Sequence, residues 1–125
     1  METTSLFERL GRSSGIERIV EEVAGRHLGN PVIAARFRPF LEPPEKLQAL
    51  KEHLARFFEM GSGGPQRYAG RDMRSAHAGM NISPAEYVAA IDDILEALAH
   101  VGMDEQTQKD VLAILWSLKG EIVHV

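Results

Sequence analysis

The chain has 125 residues, the usual size of a single domain, which leaves no room for two separate cores. Its hydrophobic content of 44% is that of an ordinary soluble fold, so an intrinsically disordered chain is excluded. The net charge of -4 excludes a generally basic nucleic-acid binder. No apolar run is long enough to cross a membrane and no signal-peptide core is found, so we expect one domain over 1–125, located in the cytoplasm.

Apolar residues recur every three or four positions along almost the whole chain, which predicts an all-α fold. A short helical turn is expected over 5–10. The second helix should end near Gly29-Asn30-Pro31, because glycine terminates helices and proline cannot continue them. One face of this helix carries Ile16, Ile19, Val20, Val23 and His27. A short helix with a loop is expected over 31–40, with the apolar residues Ile33, Phe37 and Phe40.

Three more helices are predicted in the rest of the chain. Pro43-Pro44 fits the entry of the first, which should run to about Met60. Its apolar stripe consists of Leu47, Leu50, Leu54, Phe57 and Phe58. The pattern Ser83-Pro84-Ala85-Glu86 is a capping box and begins a helix that stops at Gly102. Asp104 is expected to cap the last helix, and the buried face of that helix is Val111, Leu115, Leu118 and Ile122.

The stretch 61–76 has no helical pattern and is rich in glycine. A loop of this length is uncommon in a compact domain and usually has a function. It leads into one expected helical turn, 73–77, which places Met73 and His77 on the same side. We infer that something other than side chains fills the space beside this loop.

His77 is the first candidate for metal chemistry. Imidazole is a common metal ligand, including the axial ligand of haem iron, and methionine packs well against a flat apolar cofactor. A purely structural histidine would explain the same pattern without a ligand. With no cysteine in the chain, thiolate metal sites, disulfides and cysteine nucleophiles are excluded.

The remaining histidines have simpler explanations. His53 borders the apolar stripe of its helix and needs a polar partner there, as does His27. His100 and His124 lie near expected helix ends, where the helix dipole favours a cation. Asp92 and Asp93 are expected to be a solvated pair on an exposed helix face.

Two further kinds of site are weakly indicated or excluded. Gly61-Ser62-Gly63-Gly64 has no following lysine and no preceding strand, so a nucleotide-binding loop is not expected. Arg67, Arg71 and Arg74 form a small basic cluster, too small for DNA but suited to one or two carboxylates or phosphates.

Three stretches together resemble one protein family, the group I truncated haemoglobins, and the resemblance extends over nearly the full length. The first is Ser5-Leu6-Phe7-Glu8-Arg9-Leu10-Gly11. The second runs over 63–73 and contains Gly63-Gly64-Pro65 and Tyr68-Ala69-Gly70. The third runs over 77–83, from His77 to Ser83. The last two in combination are quite specific to the family.

The resemblance implies a two-over-two helical sandwich around haem b, with His77 as the proximal iron ligand. It also implies that the helix carrying that histidine is mostly replaced by loop. Phe37 or Phe40 would lie near the haem edge, and Arg71 or Arg74 would pair with the propionates. The remaining residues that correspond to haem contacts are Phe57, Phe58, Tyr68 and Met73.

The distal side departs from the family pattern. The usual distal tyrosine corresponds to Ala24, and the usual glutamine positions correspond to Leu50 and Leu54. A hydrogen bond to the bound oxygen in a dry pocket contributes on the order of 1–3 kcal/mol to its binding. Because these three residues cannot donate one, tight oxygen binding is not expected. By resemblance to cyanobacterial members, His53 is a candidate second iron ligand, and Leu50 and Leu54 would line the haem pocket. His27 is the reserve distal group.

We therefore expect a haem-binding globin that binds oxygen or another diatomic gas (O2, NO or CO). NO dioxygenation is a related enzymatic hypothesis and needs a reductase that the sequence does not identify. A bis-histidyl haem for electron transfer and a haem-free helical interaction domain are two competing hypotheses. The oligomeric state is left open.

Overall fold

The computed structural model describes residues 5–64 and 77–125, and the regular structure in these ranges is helical. The α-helices are α1 (Leu6–Arg9), α2 (Arg12–Gly29), α3 (Ala34–Phe37), α4 (Pro44–Gly61), α5 (Pro84–His100), α6 (Glu105–Ser117) and α7 (Lys119–Ile122). A 3-10 turn, Arg38–Phe40, follows α3 directly. Within the described ranges no helix is long and apolar enough to cross a membrane.

The four long helices form two layers. α2 packs against α4 in one layer, and α5 packs against α6 in the other. α2 also contacts α5, so this crossing joins the layers. The all-α, two-over-two sandwich expected from the sequence is confirmed.

The apolar stripes predicted from helical periodicity form the core. On α2 the inward residues Ile16, Ile19, Val20 and Val23 are almost fully buried. They belong to one cluster with Ala97 and Leu98 of α5 and with Val111 and Leu115 of α6. Burying an aliphatic side chain of this size contributes roughly 1.5–3 kcal/mol, so these stripes are the main source of stability.

The predicted helix starts are confirmed at two positions. The Ser83 hydroxyl accepts a hydrogen bond from the Glu86 amide at 3.1 Å, and the Ser83 amide donates to the Glu86 carboxylate at 3.1 Å. The Asp104 carboxylate accepts from the Thr107 amide at 2.8 Å. These bonds satisfy amide donors that have no partner inside the first turn of a helix.

The expected last helix is interrupted at Leu118 and continues as the short α7. The Ser117 hydroxyl donates to the Ile114 carbonyl at 2.6 Å, and a serine bonded in this way competes with the helical backbone. Gly120, a poor helix former, follows inside α7. Ile122 is nevertheless buried, as predicted.

Gly15 allows α2 to begin close to the end of α1. A Cβ atom at this position would overlap the carbonyl oxygen of Leu10. Leu10 is itself buried, so its backbone has little room to move away. The absence of a side chain at Gly15 is therefore a packing requirement.

We predict that Gly15→Ala lowers the free energy of unfolding by about 1–3 kcal/mol, because the added methyl group overpacks this contact. Gly25→Ala is the matched control in the same helix, since nothing lies within 4 Å of a Cβ atom there. Because alanine has a higher helix propensity than glycine, Gly25→Ala should stabilise the fold by roughly 0.5–1 kcal/mol. Urea denaturation measures both, and equal stabilities of the two variants would contradict the close approach.

Candidate functional site

A cavity of about 400 Å³ lies between the two helical layers. Its walls are mainly apolar and come from α2 to α7 and from the segment that precedes α5. Protein cores are close-packed, with few voids larger than a water molecule. Cavities of roughly 300–1,000 Å³ are typical of sites for small molecules and cofactors, so this cavity is the candidate functional site.

Three histidines contribute to the cavity wall: His27 from α2, His53 from α4, and His77 from the segment before α5. His77 is half-buried and His53 is mainly exposed. The structure thus brings the two candidate metal ligands to one cavity, although they are distant in sequence. Within the described residues no three side chains of His, Asp or Glu come together to hold a metal ion.

Most of the apolar residues expected to contact a cofactor lie in the same wall. They are Phe37, Phe40, Leu50, Leu54 and Phe58. The backbone of Phe57 belongs to α4, but its side chain lies outside the described part of the structure. The expected contacts of Tyr68, Arg71, Met73 and Arg74 lie outside the described residues as well.

The backbone next to His77 is held by the last residues of the chain. The amides of Gly79 and Asn81 donate to the Val125 carbonyl at 3.2 and 3.1 Å. Ile82 forms a parallel bridge with Val123, and the His124 amide donates to the Ile82 carbonyl at 3.0 Å. This pairing fixes the chain direction immediately after His77.

Arg36 and Glu86 form an ion pair in the cavity wall that was not predicted from the sequence. The Arg36 guanidinium also donates to the Met80 carbonyl at 3.1 Å. Hydrogen bonds from Arg36, and then from the Ser83 amide, lower the pKa of Glu86 to about 2. The pair therefore joins α3 to the first turn of α5 and to the segment that follows His77.

His27 and Asp93 form a second polar contact, between α2 and α5. Asp93 was expected to be solvated, but only 6% of its surface is exposed, so that expectation is wrong. The His27 Nδ1 atom lies 2.7 Å from one Asp93 oxygen. The side-chain amide of Asn30 donates to both oxygens of the same carboxylate, at 3.1 and 3.2 Å. Asp92, its neighbour, is exposed as expected.

Tyr87 is another polar side chain in the wall, but it is already engaged. Its hydroxyl donates a hydrogen bond to the Leu115 carbonyl. Burial raises the pKa of this hydroxyl to about 12, so it stays protonated at neutral pH. Tyr87 thus serves the contact between α5 and α6.

We predict that Glu86→Gln reduces the loss of stability on acidification. Because the pKa of Glu86 lies below its ordinary value of 4.5, its ion pair stabilises the fold fully above that pH. This stabilisation is lost as the pH falls toward about 2. Unfolding midpoints of wild type and variant should therefore converge between pH 4.5 and 2. Glutamine keeps the capping box, and the exposed Glu17→Gln variant should follow wild type throughout.

Comparisons with known proteins place the chain among the globins. A family model described as bacterial-like globin matches residues 5–124. The group 1 truncated hemoglobin GlbN of Nostoc sp. (strain MUN 8820) is 26% identical over 121 residues, which cover 97% of this chain and 98% of that protein. The group 1 truncated hemoglobin of Tetrahymena thermophila is 36% identical over 106 residues, with coverages of 82% and 80%.

A solved structure has the same fold. The truncated hemoglobin of Tetrahymena pyriformis, in its Fe(III) form, superposes with a TM-score of 0.89 at 19% sequence identity. The match covers 98% of this chain and 100% of that one. The likeness therefore includes the layers that enclose the cavity.

Proposed function

Because the chain belongs to the bacterial-like globin family, among the group 1 truncated hemoglobins, we propose that its cavity holds haem b and that this haem binds a diatomic gas. His77 is the proposed proximal ligand of the iron. The observation that carries this proposal is the position of His77 in the wall of a cavity that is otherwise mainly apolar.

The residues of the cavity fit a haem group in two respects. The volume of about 400 Å³ lies in the range of cofactor sites. Phe37, Phe40 and Phe58 offer apolar surface to a flat macrocycle.

Bound haem would supply an iron centre with an open or displaceable position for a small ligand. His77 would hold the iron through its imidazole, and the pairing of 79–82 with the C-terminal residues keeps the neighbouring backbone in place. The aliphatic and aromatic wall would exclude water, which slows oxidation of the ferrous form. Leu50 and Leu54 offer no hydrogen bond on the α4 side of the cavity.

His53 is proposed to hold the iron as a second protein ligand in the absence of an external one. This proposal is supported by its place in the same cavity wall as His77. An external gas would then have to displace His53, and its exposure toward solvent gives the released side chain room. If His53 binds tightly, electron transfer by a bis-histidyl haem is the second candidate function.

Several finer expectations belong to this proposal. Arg71 or Arg74 would pair with the haem propionates, since Arg36 is already bonded to Glu86. Oxidation of NO to nitrate would require a reductase, and NO consumption under air by the reduced protein measures that activity. The cytoplasmic location and the single domain over 1–125 stay predictions.

We predict that His77→Ala abolishes stable haem retention, because the iron loses its proximal imidazole. Wild-type protein titrated with hemin should develop a Soret band at one equivalent and unfold at a higher temperature than the haem-free form. Added imidazole should restore the band in His77→Gly. His100→Ala, at the exposed end of α5, is the control and should behave as wild type. If the Soret band of a His77 variant were the same as that of wild type, the proposal would be contradicted.

We predict that His53→Leu converts a six-coordinate low-spin spectrum of the ferrous protein into a five-coordinate high-spin one. CO association should then become faster, since no side chain has to leave the iron. Absorption spectra and flash photolysis measure the two effects. A wild-type spectrum that is already high-spin, and that the substitution leaves unchanged, would rule out coordination by His53.

A further inference from the structure

The proposed function gives no role to the contact between His27, which lines the cavity, and Asp93. His27 is 5% exposed and lies in the cavity wall, and its ring stacks on that of Phe37 with centroids 4.9 Å apart. Its Nδ1 atom is taken by Asp93, so the polar atom that it can offer to the cavity is Nε2. An imidazole buried against an apolar cavity and oriented by a carboxylate is a costly arrangement, which points to a chemical role.

The hydrogen bonds around Asp93 determine which nitrogen of His27 carries the proton. The carboxylate accepts two bonds from Asn30 and is an acceptor toward His27 as well. His27 therefore donates its Nδ1 proton to Asp93. Burial lowers the pKa of His27 more than Asp93 raises it, so the ring is neutral at neutral pH. Nε2 consequently carries a lone pair and no proton.

We propose that His27 is a proton acceptor in the cavity for small weak acids of the type H–X whose anion binds ferric iron. The inference rests on the proposed haem site. The H–X bond breaks, its proton moves to Nε2 of His27, and the anion keeps the electron pair with which it binds the metal. No oxidant or reductant is needed.

This proton transfer lets the ligand enter the mainly apolar cavity as a neutral molecule and bind as an anion. An anion that enters a mainly apolar cavity from water loses its hydration, whereas the neutral acid H–X does not carry that cost. After the transfer, the imidazolium lies beside the Asp93 carboxylate in a charge-assisted hydrogen bond. The bound anion nearby further favours the protonated ring.

The remaining charged groups of the wall do not compete for this role. Arg36 and Glu86 are paired with each other. His53 and His77 are the proposed iron ligands. Glu96 of α5 does not line the cavity and is paired with Arg26 of α2 at 3.1 Å. The α5 carboxylate bonded to His27 is that of Asp93.

The test compares two ligands of the haem protein, cyanide and CO. Cyanide is present as HCN near neutral pH and must lose a proton on binding to ferric protein, whereas CO binds ferrous protein without one. We expect His27→Gln to slow cyanide association about a hundredfold or more, the lower end of the range in which general-base catalysis operates, and to leave CO association within about twofold. A His53→Leu background removes any limit set by displacement of His53.

A second variant keeps the inference testable if His27→Gln folds poorly. Asp93→Asn preserves packing, but the new amide can donate to Nδ1 and move the proton to Nε2, which removes the acceptor. It should slow cyanide association in the same way. Asp92→Asn, at the exposed neighbouring position, is the matched control and should leave the rate unchanged.

Two further readouts are independent of rates. Nitrogen-15 NMR of the CO form should show His27 with its proton on Nδ1, and Asp93→Asn should reverse this. Proton release in weakly buffered solution should be near zero when wild type binds HCN and about one proton per cyanide in His27→Gln. Unchanged cyanide rates in both variants, or a full proton released by wild type, would overturn the inference. Failure of wild type to bind hemin would instead overturn the proposed haem site, and this inference with it.

Discussion

The crossing of α2 over α5 is the contact on which the rest of the structure depends. It joins the two helical layers, and its character changes along its length. At one end Ile16 and Ile19 belong to the same apolar cluster as Ala97 and Leu98. At the other end His27 meets Asp93, and there the crossing borders the cavity. The apolar end supplies the stability that allows the polar end to be buried.

Polar side chains are few in the cavity wall, and several of them have hydrogen-bond partners within the protein. Arg36 is bonded to Glu86, and the Tyr87 hydroxyl is bonded to the Leu115 carbonyl. A polar group left unpaired at a buried surface would cost several kcal/mol, and these bonds avoid that cost. The other polar side chains of the wall are the imidazoles of His27, His53 and His77, on which the proposed function depends.

The fold was predictable from the sequence because periodicity reports which face of each helix is buried. The capping box at Ser83 and the stripes on α2 and α4 follow from local pattern alone. The placing of His53 and His77 at one cavity followed from a family resemblance, since no local pattern relates them. Asp93 was mispredicted because an acidic pair is normally solvated. Adjacent helical residues point about 100° apart, so one can be buried while the other is not, and the partner of Asp93 lies 66 residues away in the chain.

The face that α5 turns to the cavity explains why the site lies where it does. Glu86 and Asp93 are two helical turns apart and so lie on the same side of α5, with Ala90 between them. Ala90 lines the cavity, and its small side chain leaves room there. The two carboxylates hold Arg36 of α3 and His27 of α2, which lie on either side of the corner between these two helices. The corner between α2 and α3 is therefore bonded to α5 at two points, one on each side of Ala90. A larger residue at Ala90 would intrude on the cavity, and loss of either carboxylate would release one side of the corner.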